Sequence, residues 1–469
     1  MHIIMQKHSK KDLFENIPVP KALASMAIPT IISQIINLVY NMVDAFFIGR
    51  TGNSYMMAAT TLTLTLVMMN VAFSNLFGVG GGSLIARLMG QKKTEEAKKV
   101  SAFSCYACAT LAVVYSVLLG VFMKPVLYFL GASDATVGFA GQYTLLVIVI
   151  GSLPGILSMT LAHLLRNSGY SSQASLGLSS GGILNMLLDP LFMFVIFPKG
   201  SEVLGAAAAT LLSNVIACAY LLYAYKKASA SAPLSLYPKD VFSVSRENVK
   251  KVFSVGVPSA VVTGLFDVAN ICVNKCASAH SDLVLAGIGI VMKIERIPNA
   301  VNIGICQGML PIVAYNYSSG NHARMKETIK TARLSGLVIS AASIVFLQIF
   351  ASPATRLFLS TSAGDSEAAL MTLGFAVLFL RIRCIASPLQ LINYHTSFCM
   401  QAMGKGKETL LLAFVREIVF YIPFIFILDK LFGELGMVAA LPVGEACGAV
   451  FALLLLRHVL RSKGKKAST

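Results

Sequence analysis

Charge is scarce in this sequence: Asp, Glu, Lys and Arg together make up 13% of 469 residues, against 56% hydrophobic residues. A chain so poor in charge carries more apolar surface than one water-soluble core can bury, so lipid is the solvent expected for much of it. No H-E-x-x-H, Walker loop or paired His cluster occurs, and His163 and His395 stand alone in apolar context, so metal-dependent and nucleotide-driven chemistry have no visible seat. No nucleophile and base can be assembled into an intramembrane enzyme either. Cysteine is sparse and odd in number, nine in all, and the one close pair, Cys105 and Cys108, has no second pair to complete a cage. Neither a disulfide framework nor a thiolate metal site follows, and no bound cofactor is expected. A cleavable leader is also missing from the first 27 residues, and the first apolar span is expected to act as the membrane signal.

What is present is a series of long apolar runs. Stretches bounded by charge, Gly or Pro fall at 28–48, 56–80, 101–122, 137–163, 175–197 and 204–225. A second set follows at 254–277, 284–312, 334–351, 367–400, 409–430 and 436–457. At roughly 20 residues per crossing these are twelve transmembrane helices. The expected fold is therefore an all-α membrane protein of two six-helix lobes, 1–225 and 254–469, joined by a polar linker over 226–253. The net charge of +17 does not point to nucleic acid, because the basic residues lie between the apolar runs and not on one face. Of 38 basic residues, 27 fall on the side of the termini and linker; six lie on the other side, namely Arg50, Lys124, Lys199, Lys275, Arg356 and Lys430. Positive charge of that bias places both termini and the linker in the cytoplasm of a multi-pass cell-membrane protein.

The halves repeat one plan. Pro29 and Pro258 each open a span carrying a polar stripe, and the glycines from Gly78 to Gly82 correspond loosely to Gly304 and Gly308. Six spans return the chain to its starting side, so parallel duplicated lobes face each other across a central path. Span one carries Gln34, Asn37, Asn41 and Asp44 on one helix face; span seven carries Thr263, Asp267, Asn270 and Asn274. Span five offers Asn185 and Asp189 one turn apart, span six Thr210, and span eight Glu295 and Asn299.

An ionisable group near the bilayer centre costs at least ~2.5–3.5 kcal/mol, so each needs a partner, water or a function. Arg381 and Arg383 are natural partners for Asp267 or Glu295, and Arg416, Glu417 and Glu445 can pair as helix locks. Asp44 and Asp189 have no basic residue at comparable depth in their own half. They are candidates to hold an ion, a proton or a sodium with the carbonyls of Asn41 and Asn185 as further ligands. Gln34, Asn37, Thr210, Asn270, Asn274, Glu295 and Asn299 are candidates to line a substrate cleft. The 20 Met and 27 Phe residues suit adaptable apolar contacts.

The sequence resembles the multidrug and toxic compound extrusion family, most closely its bacterial and archaeal branches. The resemblance rests on Pro29, the segment from Leu38 to Gly49, Asn185 through Pro190, Pro311 with Asn316, and Arg381 with Arg383. Arg166 to Gly169, their counterpart Gln401 to Gly404, and Gly205 with its three following alanines complete it, in order along nearly the whole chain. It implies two bundles forming a V-shaped cleft and export of small amphipathic, often cationic compounds in exchange for H⁺ or Na⁺; the chain is expected to act as a monomer. By the same resemblance Asp44, Asn185 and Asp189 match the ion-coupling cluster of the first lobe, and Asp267 lies near a second family position. A lipid-linked precursor flippase of the same wider architecture is the alternative, and would require a strongly basic central cavity.

Overall fold

A computed structural model describes residues 10–358 and 367–466, and among these the chain is helical with no strand. A short α1 (Lys10–Glu15) precedes the first lobe, whose spans are α2 (Val19–Arg50), α3 (Ser54–Gly90), α4 (Thr94–Phe129), α5 (Val137–Ile150 and Ser152–Asn167, bent by 50°), α6 (Ser171–Ile196) and α7 (Glu202–Ala228). After α8 (Pro238–Phe242) the second lobe contains α9 (Arg246–His280), α10 (Asp282–Ser318), α11 (His322–Ile349), a short α12 (Ala351–Arg356), α13 (Glu367–Ala402) and α14 (Gly406–Arg461). By length and composition ten of these helices cross a membrane, and eleven with bent α5. α14 holds two crossings. Gly433 breaks it with a φ of +62°, a backbone region open to glycine and closed to most residues, and this restores the expected twelve.

The helices outrun the apolar windows by several residues at most ends, because backbone hydrogen bonding continues past the hydrocarbon. The linker is correspondingly shorter than 226–253: α7 reaches Ala228 and α9 starts at Arg246. Nor is it loose. Leu234 and Ser235 are buried, the Ser101 hydroxyl accepts from Ser235 N at 2.9 Å, and the Tyr106 hydroxyl donates to Leu236 O at 3.0 Å. The linker is thus strapped along α4.

Each lobe has its own apolar core, and a further cluster joins Leu23, Ala27 and Ala86 of the first to Ile305, Met309 and Met400 of the second. This seam lies at the linker end. There α3 packs on α9 so closely that a Cβ on Gly256 would collide with the Leu76 carbonyl, and one on Gly80 with that of Val252. The Ser83 hydroxyl donates to Gln401 O at 2.5 Å, and Phe77 meets Phe253 edge-on at 5.8 Å. α1 completes the closure. Phe14 is fully buried and stacks on Tyr315 at 5.0 Å, while Arg324 of α11 donates to the carbonyls of Phe14 at 2.7 Å and Ile17 at 2.5 Å. An arginine thereby satisfies carbonyls that the end of a short helix leaves open.

Toward the other end the lobes diverge. Asn75 still donates to Thr263 across the gap at 3.2 Å, but beyond that level Asn37, Asn41 and Asn274 are exposed. Polar faces at this depth are too costly to turn to lipid.

Overpacking the seam is expected to loosen it. Gly256→Ala forces a shift costing about 1–3 kcal/mol. A cysteine replacing buried Ser83, in a background without other cysteines, is expected to react severalfold faster with a hydrophilic maleimide in that variant; an unchanged rate would mean the seam absorbs the methyl group.

Candidate ion site and relatives of the chain

Two glycine contacts build the first-lobe site. Gly182 of α6 lies against Ile36 and Tyr40 of α2, where an added Cβ would sit 3.2 Å from both side chains, so the two helices run close together and Asp44 is the charged neighbour of Asp189. Gly205 of α7 approaches the backbone of Phe192 and Met193, which brings Thr210 to α6. Asn185 then donates to Asp189 Oδ1 at 3.0 Å and to Thr210 Oγ1 at 3.2 Å.

Asp189 and Asn185 are almost completely buried and Asp44 is half-buried. Asp44 Oδ1, Asp189 Oδ2 and Asn185 Oδ1 are each secluded from solvent without a hydrogen-bond partner among the described residues. Three acceptor oxygens are thus left with no donor among the described residues. Unpaired buried carboxylates cost several kcal/mol, and a proton or a small cation relieves that cost.

Tyr40 and Tyr143 also feel the charge of both acids. Neither tyrosine was singled out by pattern, since an aromatic in an apolar run reads as packing. Asn41 does not reach the acids; its amide donates to Asn37 O at 2.6 Å, within its own helix. Thr210, expected in the cleft, belongs to the acid cluster instead. Two π-helical segments flank the site, Leu145–Ile150 just after Tyr143 and Phe192–Ile196 just after Pro190. Such segments are frequent at functional sites. A cavity of ≈ 300 Å³ lies between Phe47, Arg50, Pro190 and Phe194.

The MatE family profile matches residues 29–191 and 258–427, the two lobes in turn. The chain belongs to the MatE family. Multidrug export protein MepA of Staphylococcus saprophyticus is 29% identical over 96% of each chain, and that of Staphylococcus aureus strain MRSA252 is 28% identical over the same share. The fold is that of a MATE transporter solved in complex with MaL6, with a TM-score of 0.91 at 24% identity over 98% of this chain and 100% of that one. An outward-facing multidrug resistance MATE family transporter matches at 0.90, again at 24% identity, 98% and 100% covered.

The second lobe of this MatE chain treats its charges differently. Glu295 takes a two-pronged bond from Arg383, at 2.9 Å and 3.0 Å, with both side chains largely buried. This corrects two expectations. Arg381 is not a partner: one helix step of two residues turns it to the opposite, exposed face, and its carbonyl accepts from Gln348 at 2.8 Å. Glu295 is not free to line the cleft, being engaged inside the bundle. Asp267, half-buried, has Arg296 as its electrostatic neighbour and neither Arg381 nor Arg383. Arg416 bonds Glu445 at 3.0 Å and 2.5 Å, lies 3.4 Å from Glu417, and stacks on Tyr394 at 4.8 Å. Asn393 donates to Glu445 at 2.6 Å. Gln34, Asn270 and Asn299 are half-buried, and Asn37 and Asn274 are exposed.

Breaking one partner of a buried pair is strongly destabilising, by about 3–5 kcal/mol. Glu295→Gln is therefore expected to lower the unfolding temperature and the yield of folded protein, while Arg381→Gln stays within about 0.5 kcal/mol of the parent. Thermal unfolding in detergent checks both, and equal stability of the two variants would remove the structural role.

Proposed function

We propose that this chain is a secondary antiporter that exports amphipathic, often cationic organic compounds in exchange for H⁺ or Na⁺, with the coupling ion held by Asp44 and Asp189. The observation that carries the reading is that Asp44 Oδ1, Asp189 Oδ2 and Asn185 Oδ1 are secluded without a donor among the described residues, with Asp44 the charged neighbour of Asp189. A proton satisfies one carboxylate and leaves the other to accept it; a sodium ion takes oxygens of both acids and the Asn185 carbonyl. Asn41 contributes only after its side chain turns away from Asn37. The names of the relatives support the substrate class. So does the cleft, where Gln34, Asn37, Asn270, Asn274 and Asn299 offer polar contacts among apolar walls and Asp267 a second carboxylate for a cationic group.

Loading the ion from the open side neutralises the repulsion between α2 and α6, and releasing it to the linker side restores that repulsion. An ion that binds one arrangement better biases the equilibrium between outward-open and inward-open shapes. The protein then sits in the cell membrane with both termini and the linker cytoplasmic, and it works as a single chain, because the cleft lies between two lobes of one polypeptide.

Asp44→Asn and Asp189→Asn are expected to fold normally, to keep substrate binding and to lose gradient-driven export. Dye efflux from vesicles under imposed proton or sodium gradients reads this out, and wild-type rates from either variant would move attention to Asp267. Orientation is checked with single cysteines at Lys239 and Lys199, both exposed. A membrane-impermeant reagent added to intact cells is expected to label position 199 and spare 239; the reverse pattern would overturn the topology.

A further inference from the structure

At the linker end of the second lobe, α11 and the last arm of α14 enclose a groove of ≈ 280 Å³. Lys326 and Arg333 of α11 are seven residues apart, and Arg457 and Arg461 of α14 four apart, so each pair lies on one face of its helix. The two pairs confront each other across the groove. Among the described residues none of the four pairs with an acid: the ion pairs of this lobe use Arg383, Arg416, Lys251, Lys405 and His280. Glu327, next in sequence to Lys326, has Arg324 as its electrostatic neighbour. Four cations sharing one groove repel one another, and a bound anion is what that arrangement lacks.

The groove is also amphipathic along the membrane normal. α14 runs toward the linker side, so Leu453 and Leu456, which form part of the wall, lie deeper in the membrane than Arg457 and Arg461. An apolar floor below a basic rim matches one class of molecule. We propose that this groove binds an anionic phospholipid of the linker-side leaflet, with its phosphate among Lys326, Arg333, Arg457 and Arg461 and its acyl chains over Leu453 and Leu456. Basic pockets between spans on the cytoplasmic side are suited to such headgroups, and each Lys or Arg adds attraction toward an anionic leaflet. At ≈ 280 Å³ the space suits a headgroup and leaves the chains in the bilayer. The bound lipid would tie α11, the helix whose Arg324 holds α1, to the end of the chain.

The test is a lipid titration of the purified protein in detergent, read by native mass spectrometry, with phosphatidylglycerol and phosphatidylcholine of identical chains. Phosphatidylglycerol is expected to bind about tenfold or more tightly than phosphatidylcholine. The double variant Arg457→Gln, Arg461→Gln is expected to abolish that preference, whereas Lys226→Gln, Lys227→Gln, which removes two exposed cations on the same side, retains it. Equal binding of the two lipids, or equal loss in the two double variants, would overturn the site. Displacement of the lipid by millimolar inorganic phosphate would also overturn it in favour of a free-anion site. Should the arginine variant fail to fold, Lys326→Gln on the exposed rim carries the same comparison.

Discussion

The approach of two backbones where glycine is the only residue that fits governs this molecule. Gly256 against Leu76 and Gly80 against Val252 let α3 and α9 touch at the linker end with no side chain between them. Rigid helices held together at one end must separate at the other, so the cleft is a consequence of the seam and needs no independent device. The same geometry sorts the polar stripes. In α2 and α9 the residues near the paired prolines are packed against the opposite lobe, while Asn37, Asn41 and Asn274 emerge where the lobes part. α1 adds a wedge, with Phe14 buried against Tyr315 and also lying 3.3 Å from where a Cβ on Gly169 would stand. A single aromatic ring thus touches elements of both lobes.

Within this shared plan the two lobes resolve their buried acids in opposite ways. Glu295 and Glu445 each receive a two-pronged arginine, a geometry that matches the planar guanidinium to the carboxylate and leaves little for a third party to bind. Asp44 and Asp189 receive an asparagine amide between them and no cation. An acid already compensated by protein is a fastener, and one compensated by nothing is where the proposed coupling ion has room to bind. That contrast also weighs against a flippase of lipid-linked pyrophosphates. Two of the arginines that would have to face such a substrate, Arg383 and Arg416, are buried inside the second bundle and saturated by carboxylates.

Much of this was legible because apolar length and helical periodicity are local properties. The positions of the spans, the polar faces of α2 and α9, and the one-turn spacing of Asn185 and Asp189 all follow from spacing along one helix. What required coordinates depends on how one helix is rotated against another. Arg381 and Arg383 are interchangeable in sequence, yet their two-residue separation guarantees that only one can face Glu295. Tyr40 and Tyr143 look like packing residues until Gly182 and the turn before Leu145–Ile150 bring them to the acids. The π segments were equally hidden.

The seam itself must be breakable, and its chemistry indicates how. Close glycine packing and the Phe14 wedge favour closure at the linker end, yet the same region contains polar atoms left without a protein partner among the described residues: Arg87 Nη2, Asn167 Oδ1, Asn316 Oδ1 and Gln401 Oε1. Each would gain hydrogen bonds to water on opening, and an unmade bond to a secluded polar atom is worth about 1–3 kcal/mol. Apolar contact and polar dissatisfaction therefore oppose each other at one interface. A ligand with a few kcal/mol of differential affinity can move an equilibrium between states so nearly matched, whereas a seam of apolar contacts alone would hold the protein in one shape. The unpaired acids of the first lobe lie on α2 and α6, and α2 is also a wall of the seam through Ala27 and Ile31 against Gly308 and Gly304. Charge neutralised at Asp44 and packing released at Ala27 and Ile31 thus act on the same continuous helix.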